Sequence, residues 1–258
     1  MEHLLKRIAQ LKMLVIGDLM LDRYIFGDAN RISPEAPVPV VDVEQEKETL
    51  GAAANVALNL RSIGVDVEVL GTFGFDIPGE RLKHLLSAHS IKFISICQRE
   101  DLRTILKTRV IVRNQQLCRL DIEDLPEKYN LEQIIFWKEW LGKFSQYNAV
   151  IFSDYAKGAL TQLLVNEMIK EAQFYNVIVA ADPKPKNGIR FLGIDLLKPN
   201  KAEALEMLGI KDCRHKFQAA EICRELFLKY CSKNLVITLG QEGMLIAENG
   251  EFLEQIPS

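Results

Sequence analysis

Short apolar runs alternate along most of the chain with segments in which apolar residues recur every three or four positions. The runs Met13–Gly17 and Ala149–Phe152 each lead directly into polar or acidic residues, a pattern typical of buried strands. Segments such as Ala52–Ile63 show the helical period instead. Strands that alternate with helices predict an α/β fold with a mainly parallel central sheet and helices on both faces.

The same two patterns predict the remaining elements. Further strands are predicted at Val67–Leu70, Lys92–Ile96, Ile105–Val112, Gln116–Asp121, Val177–Ala181, Asp195–Leu197, Leu235–Thr238, Met244–Ala247 and Glu251–Leu253. Further helices are predicted at Arg81–Ser87, Leu131–Phe144, Leu163–Tyr175, Lys216–Tyr230 and from Pro199-Asn200 through Leu208.

One segment, Asp22–Glu48, interrupts this alternation. It holds three prolines and several β-favouring valines without a helical period. We expect it to form a small β excursion from the main sheet that acts as a lid. The sequence shows no internal repeat and no dividing linker, so we expect residues 1–258 to belong to a single domain.

Composition narrows the functional classes. The chain has 32 basic and 35 acidic residues and a formal net charge of −3, which argues against non-specific nucleic-acid binding. Its apolar runs fall short of the roughly 18 residues of a membrane span. The N-terminus carries charges through its apolar stretch and lacks the cleavage site of a signal peptide. We therefore expect a cytoplasmic protein without a membrane partner.

The five cysteines and four histidines form neither CxxC nor HExxH patterns. We expect reduced thiols and no metal cage built by protein ligands alone.

Polar residues follow four of the predicted strands, where ligands of parallel sheets bind. The segments are Gly17-Asp18 leading to Asp22, Ser153–Gly158, Asp182-Pro183-Lys184 and Lys198-Pro199-Asn200. A single acid after a strand is commonly a helix cap or a turn residue. Four such ends, two of them with lysines, favour an anionic ligand. The chain contains neither GxxxxGK[ST] nor GxGxxG, which disfavours a P-loop NTPase and a dinucleotide-dependent oxidoreductase.

Several longer motifs carry a family resemblance. The general ones are Asp22, Gly51 with Asn55, Gly71-x-x-Gly74-x-Asp76-x-x-Gly79, Pro199-Asn200-x-x-Glu203 and Thr238-Leu239-Gly240-x-x-Gly243. The more specific ones are Arg31–Val40, Arg113–Gln116 with Arg119-Leu120-Asp121, and Ser153–Gly158. With these motifs the chain resembles the ribokinase-like (PfkB) carbohydrate kinases, and among them the kinases of D-glycero-β-D-manno-heptose 7-phosphate.

This resemblance implies a three-layer α/β fold with a β lid that serves as a clasp in a homodimer. It also implies transfer of the γ-phosphoryl group of ATP to the anomeric hydroxyl of a heptose 7-phosphate in lipopolysaccharide-core biosynthesis, with ATP and Mg²⁺ as cofactors. Some relatives carry an adenylyltransferase domain as well.

For the sugar phosphate, the resemblance implies that Asp22 accepts hydrogen bonds from sugar hydroxyls above a floor formed by Gly51 and Asn55. Ala52 stands where the family usually has a second glycine. The substrate's own phosphate requires further cations, because arginine and lysine are the usual phosphate ligands. The candidate cations around this phosphate are Lys107, Arg109, Arg113 and Lys157, with Gln115 and Gln116 as neutral donors. Asp154 is a further candidate for substrate binding. Lys107 and Arg109 could equally lie on the solvated face of a strand.

For the nucleotide, the resemblance assigns a second set of residues: Lys184, Asn200, Lys201, Ala202, Glu203, Thr238, Gly240 and Gly243. Glu203 is expected to act on Mg²⁺ indirectly. The sequence leaves open that Glu203 is an ordinary acid of a first helical turn, and that the glycines form a plain turn between two strands.

The family's catalytic base lies in a Gly-Ala-Gly-Asp segment, and no such string occurs in these 258 residues. We therefore assign no catalytic residue and expect a C-terminally incomplete kinase domain that is inactive by itself. Two alternatives remain at this stage. One is a non-catalytic remnant that binds a sugar phosphate or a partner, and the other is a kinase for another sugar or a nucleoside.

Overall fold

The structure is a computed structural model that describes residues 2–94, 98–133, 142–210 and 217–258. Its helices are α1 (Glu2–Ile8), α2 (Ala52–Ser62), α3 (Ile77–Ala88), α4 (Gln162–Phe174), α5 (Lys201–Leu208) and α6 (Ala219–Tyr230). Its strands are β1 (Lys12–Gly17), β2 (Leu19–Ile32), β3 (Pro39–Gly51), β4 (Asp66–Leu70), β5 (Phe73–Gly74), β6 (Lys92–Phe93), β7 (Gln98–Arg99), β8 (Ile105–Val112), β9 (Gln115–Ile122), β10 (Ala149–Ser153), β11 (Ile178–Asp182), β12 (Leu196–Leu197), β13 (Asn234–Thr238), β14 (Met244–Glu248) and β15 (Glu251–Ile256).

The main sheet has the strand order β15-β14-β13-β12-β11-β10-β1-β4-β6. Its strands run parallel from β6 to β13, and β14 and β15 add an antiparallel edge. This arrangement confirms the predicted α/β class with a mainly parallel sheet. It also brings the carboxyl ends of β1, β10, β11 and β12 to one edge of the sheet.

The hydrophobic core lies on both faces of this sheet because successive side chains of a strand point to opposite faces. Leu14 and Ile16 of β1 pack into a cluster with α4, α5 and α6, whereas Val15 packs into a second cluster with α2 and α3. Both clusters are fully buried around β1. The apolar run that predicted this strand therefore reflects burial on two sides.

A second sheet of order β3-β2-β8-β9, called the lid sheet below, projects from this core. It contains the predicted excursion Asp22–Glu48 in β2 and β3, and it gains β8 and β9, which the sequence predicted as strands without placing them in the lid. Asp18 alone separates β1 of the main sheet from β2 of the lid sheet. At the other junction, β3 ends at Gly51 and α2 begins at Ala52.

Three predicted elements differ from the structure or extend outside the described residues. The predicted helix Leu131–Phe144 begins and ends in 3₁₀ turns, and residues 134–141 lie outside the described part. The predicted strand Lys92–Ile96 ends at Phe93, with residues 95–97 outside. The predicted start of the last helix at Lys216 also lies outside, and that helix begins at Ala219. Across the described ranges, every helix is too short or too polar to cross a lipid bilayer.

Candidate functional site

A cavity of about 370 Å³ opens between the lid sheet and the carboxyl ends of the main-sheet strands. Parts of β2, α2, β8, β9 and the loop after β10 line it. The lining residues are Met20, Asp22, Ala52, Asn55, Lys107, Arg109, Arg119, Tyr155 and Lys157. The fold thus brings together five of the residues predicted to bind substrate, although they come from four separate parts of the sequence.

Asp22 lies on β2 beside β8, whose parallel pairing places Lys107 directly opposite it. Its Oδ1 accepts a hydrogen bond of 2.5 Å from Nη1 of Arg109, and this hydrogen bond raises the pKa of the guanidinium. A Cβ atom on Gly51 would stand 2.7 Å from Oδ2 of Asp22, closer than packed atoms approach. Gly51 therefore serves the site by making room for the carboxylate.

Ala52 opens helix α2 at the floor of the cavity with φ of +49°. Residues with a Cβ atom rarely adopt this left-handed conformation, which costs them roughly 1–2 kcal/mol. Asn55, one turn further along α2, lines the same floor. The position where the family resemblance expects glycine is thus one where glycine fits better than alanine.

Four cations surround the cavity, and each is paired with a carboxylate. Nζ of Lys107 lies 2.8 Å from Asp121 and 2.6 Å from Glu123. Arg119 lies 2.9 Å from Asp121, and Lys157 lies 2.9 Å from Glu123. With the Arg109–Asp22 pair, four positive charges therefore face three negative ones.

Burial and ion pairing act in opposite directions on these groups. Burial raises the pKa of both Asp121 and Glu123, but hydrogen bonds outweigh it and leave both pKa values lowered. Asp121 accepts them from Lys107 and Arg119, and Glu123 accepts them from Lys107 and Lys157. Burial also lowers the pKa of Lys107, and its two carboxylate partners reverse this. All of these groups are charged near neutral pH.

Three predicted substrate residues lie away from the cavity, at the tip of the lid sheet. Arg113 occupies the β8–β9 turn and pairs with Asp28 at 2.8 Å. Gln115 and Gln116 begin the exposed strand β9. The residues that line the cavity do not include these three.

Asp154 is also absent from the cavity wall, because its carboxylate points into the protein. The residue is 2% exposed. Its Oδ1 accepts hydrogen bonds from the Ala156 amide at 2.8 Å and from Nδ2 of Asn187 at 3.1 Å, and its Oδ2 accepts a longer one from the Lys184 amide at 3.4 Å. Burial, more than any other cause, raises its pKa to about 6. The side chain joins the loop after β10 to the loop after β11.

The residues predicted for the nucleotide gather around the N-terminus of α5. Asn200 and Glu203 form a capping box, in which each side chain accepts a hydrogen bond from the other's backbone amide at 2.9 and 2.8 Å. Glu203 also binds Nζ of Lys184, which lies 5.9 Å from the centre of the Tyr155 ring. Thr238 forms a bridge with Asn200, so the two predicted nucleotide segments are adjacent.

The other predicted nucleotide residues are nearer the surface. Lys201 lies 3.6 Å from Glu242, and Ala202 is exposed. Gly240 and Gly243 have positive φ values of 63° and 87° in the turn between β13 and β14. A Cβ on Gly243 would stand 1.9 Å from the carbonyl oxygen of Ile256, so this glycine is needed for the close approach of the turn to the end of β15.

The donor set near α5 suits a cation that is held mainly by other ligands. Both oxygens of Glu203 already bind protein groups, Asn200 and Lys184. Among the described residues, histidine, cysteine and acidic side chains do not form clusters of three or more that would hold a metal. Mg²⁺ in kinases is held by one or two carboxylates together with substrate phosphates and water. The residues present fit that mode of binding.

Four residues of the cavity wall were given no binding role from the sequence, namely Met20, Ala52, Arg119 and Tyr155, and the last two carry polar groups. Arg119 lies opposite Arg109 in the antiparallel pairing of β8 and β9, in a register that shifts by one residue at Val110/Ile111. The predicted turn after Val112 indicates that the two strands pair, but it does not indicate this shift. Tyr155 lies in the predicted strand-end segment. The sequence did not indicate that the aromatic ring of Tyr155 lies between the cavity and Lys184.

Comparison with known proteins shows the family to which the chain is similar. The model of the pfkB family of carbohydrate kinases matches residues 10–258. A protein of Bordetella bronchiseptica named D-beta-D-heptose 7-phosphate kinase is 38% identical over 241 residues, which cover 93% of this chain and 75% of that protein. The bifunctional protein HldE of Vibrio atlanticus is 40% identical over 250 residues, covering 97% of this chain and 51% of that protein. The chain thus spans about half the length of such bifunctional relatives.

Solved structures agree on the fold. A carbohydrate kinase from Agrobacterium tumefaciens superimposes with a TM-score of 0.72 at 20% identity, over 93% of this chain and 74% of the other. Phosphofructokinase-2 from Escherichia coli gives the same TM-score at 17% identity, over 96% and 78%. These likenesses establish a three-layer α/β architecture shared with sugar kinases.

Proposed function

Because this chain belongs to the pfkB family of carbohydrate kinases, we propose that it serves ATP-dependent phosphorylation of a heptose 7-phosphate at the anomeric hydroxyl. The proposed setting is the supply of activated heptose for lipopolysaccharide-core synthesis. The observation that supports the acceptor is the cavity itself, which combines a carboxylate for hydroxyl groups with a cluster of cations for a second phosphate.

Asp22 is proposed to accept hydrogen bonds from sugar hydroxyls. An ionised carboxylate is an acceptor with several lone pairs, so it suits neighbouring hydroxyls on a polyol. Arg109 fixes the orientation of this carboxylate through Oδ1, and Gly51 allows it to lie against the floor. Asn55 supplies a side-chain amide on the same floor.

The 7-phosphate is proposed to bind among Lys107, Arg119 and Lys157. Their present partners, Asp121 and Glu123, are shared between cations, so a dianionic phosphate can replace a carboxylate without leaving a buried charge unpaired. Arginine adds a planar fork that matches phosphate oxygens. A substrate without its own phosphate would leave these charges as they are.

The nucleotide is proposed to bind across the N-terminus of α5 and the β13–β14 turn. Lys184 is placed to offset phosphate charge, and Asn200, Lys201, Ala202, Thr238, Gly240 and Gly243 complete the proposed surface. Mg²⁺ supplies charge neutralisation to phosphoryl transfer when it is bound. Since both oxygens of Glu203 are already engaged, this residue would act on the ion through water.

The test measures binding by calorimetry, because the 258 residues lack the Gly-Ala-Gly-Asp string that the resemblance links to the base. Heptose 7-phosphate, fructose 6-phosphate, ribose and ATP are titrated separately. Asp22→Asn is expected to weaken heptose 7-phosphate about ten- to hundredfold, since a hydrogen bond to a charged group contributes about 1.5–3 kcal/mol. ATP affinity should stay unchanged.

Asp28→Asn is the matched control, because Asp28 pairs with Arg113 on the same sheet but at its tip. It should leave every affinity within twofold. Equal heptose-phosphate affinity in wild type and Asp22→Asn would overturn the role of Asp22. Tighter binding of another acceptor than of heptose 7-phosphate would transfer the proposal to that sugar.

The lid sheet is also proposed to form a homodimer contact. One of its faces holds a shallow apolar hollow lined by Ile25, Val38, Pro39, Val41, Val43, Val110, Leu117 and Cys118. Val38 and Val43 are more than half exposed, and a second copy of this sheet would cover them. Sedimentation equilibrium should show a dimer for wild type and a monomer for Val43→Asp, while an unchanged mass would refute this contact.

A further inference from the structure

Asp18 is a buried carboxylate at the centre of the fold, between β1 and β2. It is 2% exposed, and it binds backbone amides of the loop after β10. Oδ2 accepts hydrogen bonds from Tyr155 at 2.8 Å and Lys157 at 3.2 Å, and Oδ1 accepts one from Ala159 at 3.0 Å. One side chain thus holds three amides of a single loop.

The loop that Asp18 binds adopts a shape that is not intrinsically favoured. Ala156 has φ of +55° and Gly158 has φ of +102°. A Cβ on Gly158 would stand 1.9 Å from the carbonyl oxygen of Pro126, so the loop is also pressed against another segment. Such conformations persist where the surroundings fix them. The three hydrogen bonds to Asp18 supply that restraint from the side of the main sheet.

Two of the three amides belong to residues of the cavity wall. Tyr155 and Lys157 both line the cavity, and Lys157 also binds Glu123, which follows β9. We propose that Asp18 is a positioning residue of the acceptor site, which sets the place of Lys157 through its backbone amide. This inference rests on the proposed function, in that it takes the cavity as the place where a phosphate-bearing acceptor binds.

The carboxylate is the group that the geometry requires. All three partners are N–H donors, so both oxygens must accept. In Asp18→Asn, either orientation of the amide points an NH₂ group at a backbone N–H, and at least one hydrogen bond is lost. The substitution changes no side chain of the cavity wall. The loss of a negative charge would by itself strengthen the binding of an anion, so a loss of affinity must pass through the loop.

A double-mutant cycle tests this route. Wild type, Asp18→Asn, Lys157→Ala and the double variant are titrated with heptose 7-phosphate, inorganic phosphate and ATP at a temperature where all four are folded. Each single variant should weaken heptose 7-phosphate about tenfold and leave ATP within twofold. The double variant should be no weaker than Lys157→Ala within threefold, because Asp18 cannot position a side chain that is absent.

The control is Asp195→Asn, a half-buried carboxylate at the opposite end of the main sheet. Its Oδ2 accepts a hydrogen bond from the Val179 amide at 3.0 Å. This variant should lose stability without losing affinity. If Asp18→Asn does not fold, Asp18→Ser, whose hydroxyl still accepts one hydrogen bond, replaces it in the cycle.

The outcomes separate the two proposals. A hundredfold loss in the double variant, the product of the single effects, would show that Asp18 acts on binding independently of Lys157 and would overturn the inference. Unchanged affinity in Asp18→Asn would do the same. If wild type binds inorganic phosphate but not heptose 7-phosphate, the acceptor assignment fails while the cycle is still read with phosphate. Binding of neither overturns both.

Discussion

Two groups of carboxylates flank the same cavity and differ in what they bind. Asp121 on β9 of the lid sheet and Glu123 just after it, called the lid carboxylates below, bind lysine and arginine side chains. Asp18 and Asp154, called the strand-end carboxylates, bind mainly backbone amides of the loops after β10 and β11. The first group is partly exposed, and the second is buried.

This difference separates groups that a ligand can displace from groups that it cannot. A cation released from a lid carboxylate can turn to a phosphate. A backbone amide released from a strand-end carboxylate would take its loop with it. The pKa values follow the same division: burial raises those of Asp18 and Asp154, whereas ion pairs, which outweigh burial, lower those of Asp121 and Glu123.

The largest expected contrast is in stability. Asp18→Ala leaves one buried and two partly buried amides without their acceptor, and each unsatisfied group costs about 1–3 kcal/mol. We therefore expect a loss of about 3–5 kcal/mol in unfolding free energy. Glu123→Ala removes ion pairs near the surface and should cost about 1 kcal/mol or less. Urea denaturation of both variants measures this. Losses of equal size would remove the distinction between the two groups.

The second contrast is in pH dependence. Between pH 4 and 6 the folded state holds a proton on Asp154, whose pKa rises from 3.8 to about 6, while the unfolded state has lost it. The contribution of Asp154 to the unfolding free energy therefore falls as pH rises through this window, by about 3 kcal/mol at 1.36 kcal/mol per pKa unit. For the lid carboxylates the sign is opposite, since stability falls as pH drops below their ordinary pKa values.

The measurement for Asp154 is urea denaturation at pH 4, 5, 6 and 7 for wild type and Asp154→Asn. The variant cannot titrate, so its stability should fall less between pH 4 and 6 than that of wild type. Parallel pH profiles would show that Asp154 keeps an ordinary pKa. Glu123→Gln serves as the matched control, and it should alter the profile below pH 5 only.

The third contrast concerns binding of an anion. In Glu123→Gln the side chain keeps its size and loses its charge, so Lys107 and Lys157 lose a shared partner. We expect affinity for inorganic phosphate to rise about fivefold at low ionic strength, and the gain to shrink in 0.5 M salt. Calorimetry with Asp28→Asn as control measures it. A fall in affinity would mean that Glu123 is needed to orient the lysines.

The smallest expected effect is at Ala52 on the cavity floor. Ala52→Gly relieves a left-handed conformation worth about 1–2 kcal/mol and adds about 0.4–1 kcal/mol of unfolded-state entropy. The net result should be a gain of about 0.5–1 kcal/mol in unfolding free energy. Ala57→Gly, the same substitution inside α2, should lose at least about 1 kcal/mol. A loss at both positions would show that Ala52 is not strained.

Local patterns were sufficient to predict the strands of the main sheet, because apolar runs such as Met13–Gly17 record burial on both faces of a sheet. They also placed Asp18 and Asp154 at strand ends. They could not show which way each carboxylate turns, because its partners are distant in the sequence. The partners of Asp18 lie more than 130 residues away, and Lys184 and Asn187 lie about 30 residues from Asp154. Asp154 was therefore predicted to bind substrate, whereas its buried carboxylate binds groups of the neighbouring loops.

Membership of the lid sheet was out of reach for a similar reason. β8 was predicted correctly as a strand, but its pairing with β2 joins residues more than 80 positions apart. Arg113, Gln115 and Gln116 stood out as a motif, yet the hairpin places them at the tip. Arg119 drew less attention and lines the cavity, because the register of β8 with β9 places it opposite Arg109.

The lid sheet is joined rigidly to the core at one end and is free at the other. β2 continues β1 after one residue, and β3 runs into α2 without a linker. The bulges at Phe26/Gly27 and Asp28/Arg31 lie further from the core along the lid sheet. Deflection of a beam clamped at its root grows with distance from the root, so compliance belongs to the outer half. Bending of this sheet would therefore move its tip at Arg113 furthest, whereas Asp22, near the root, would move least.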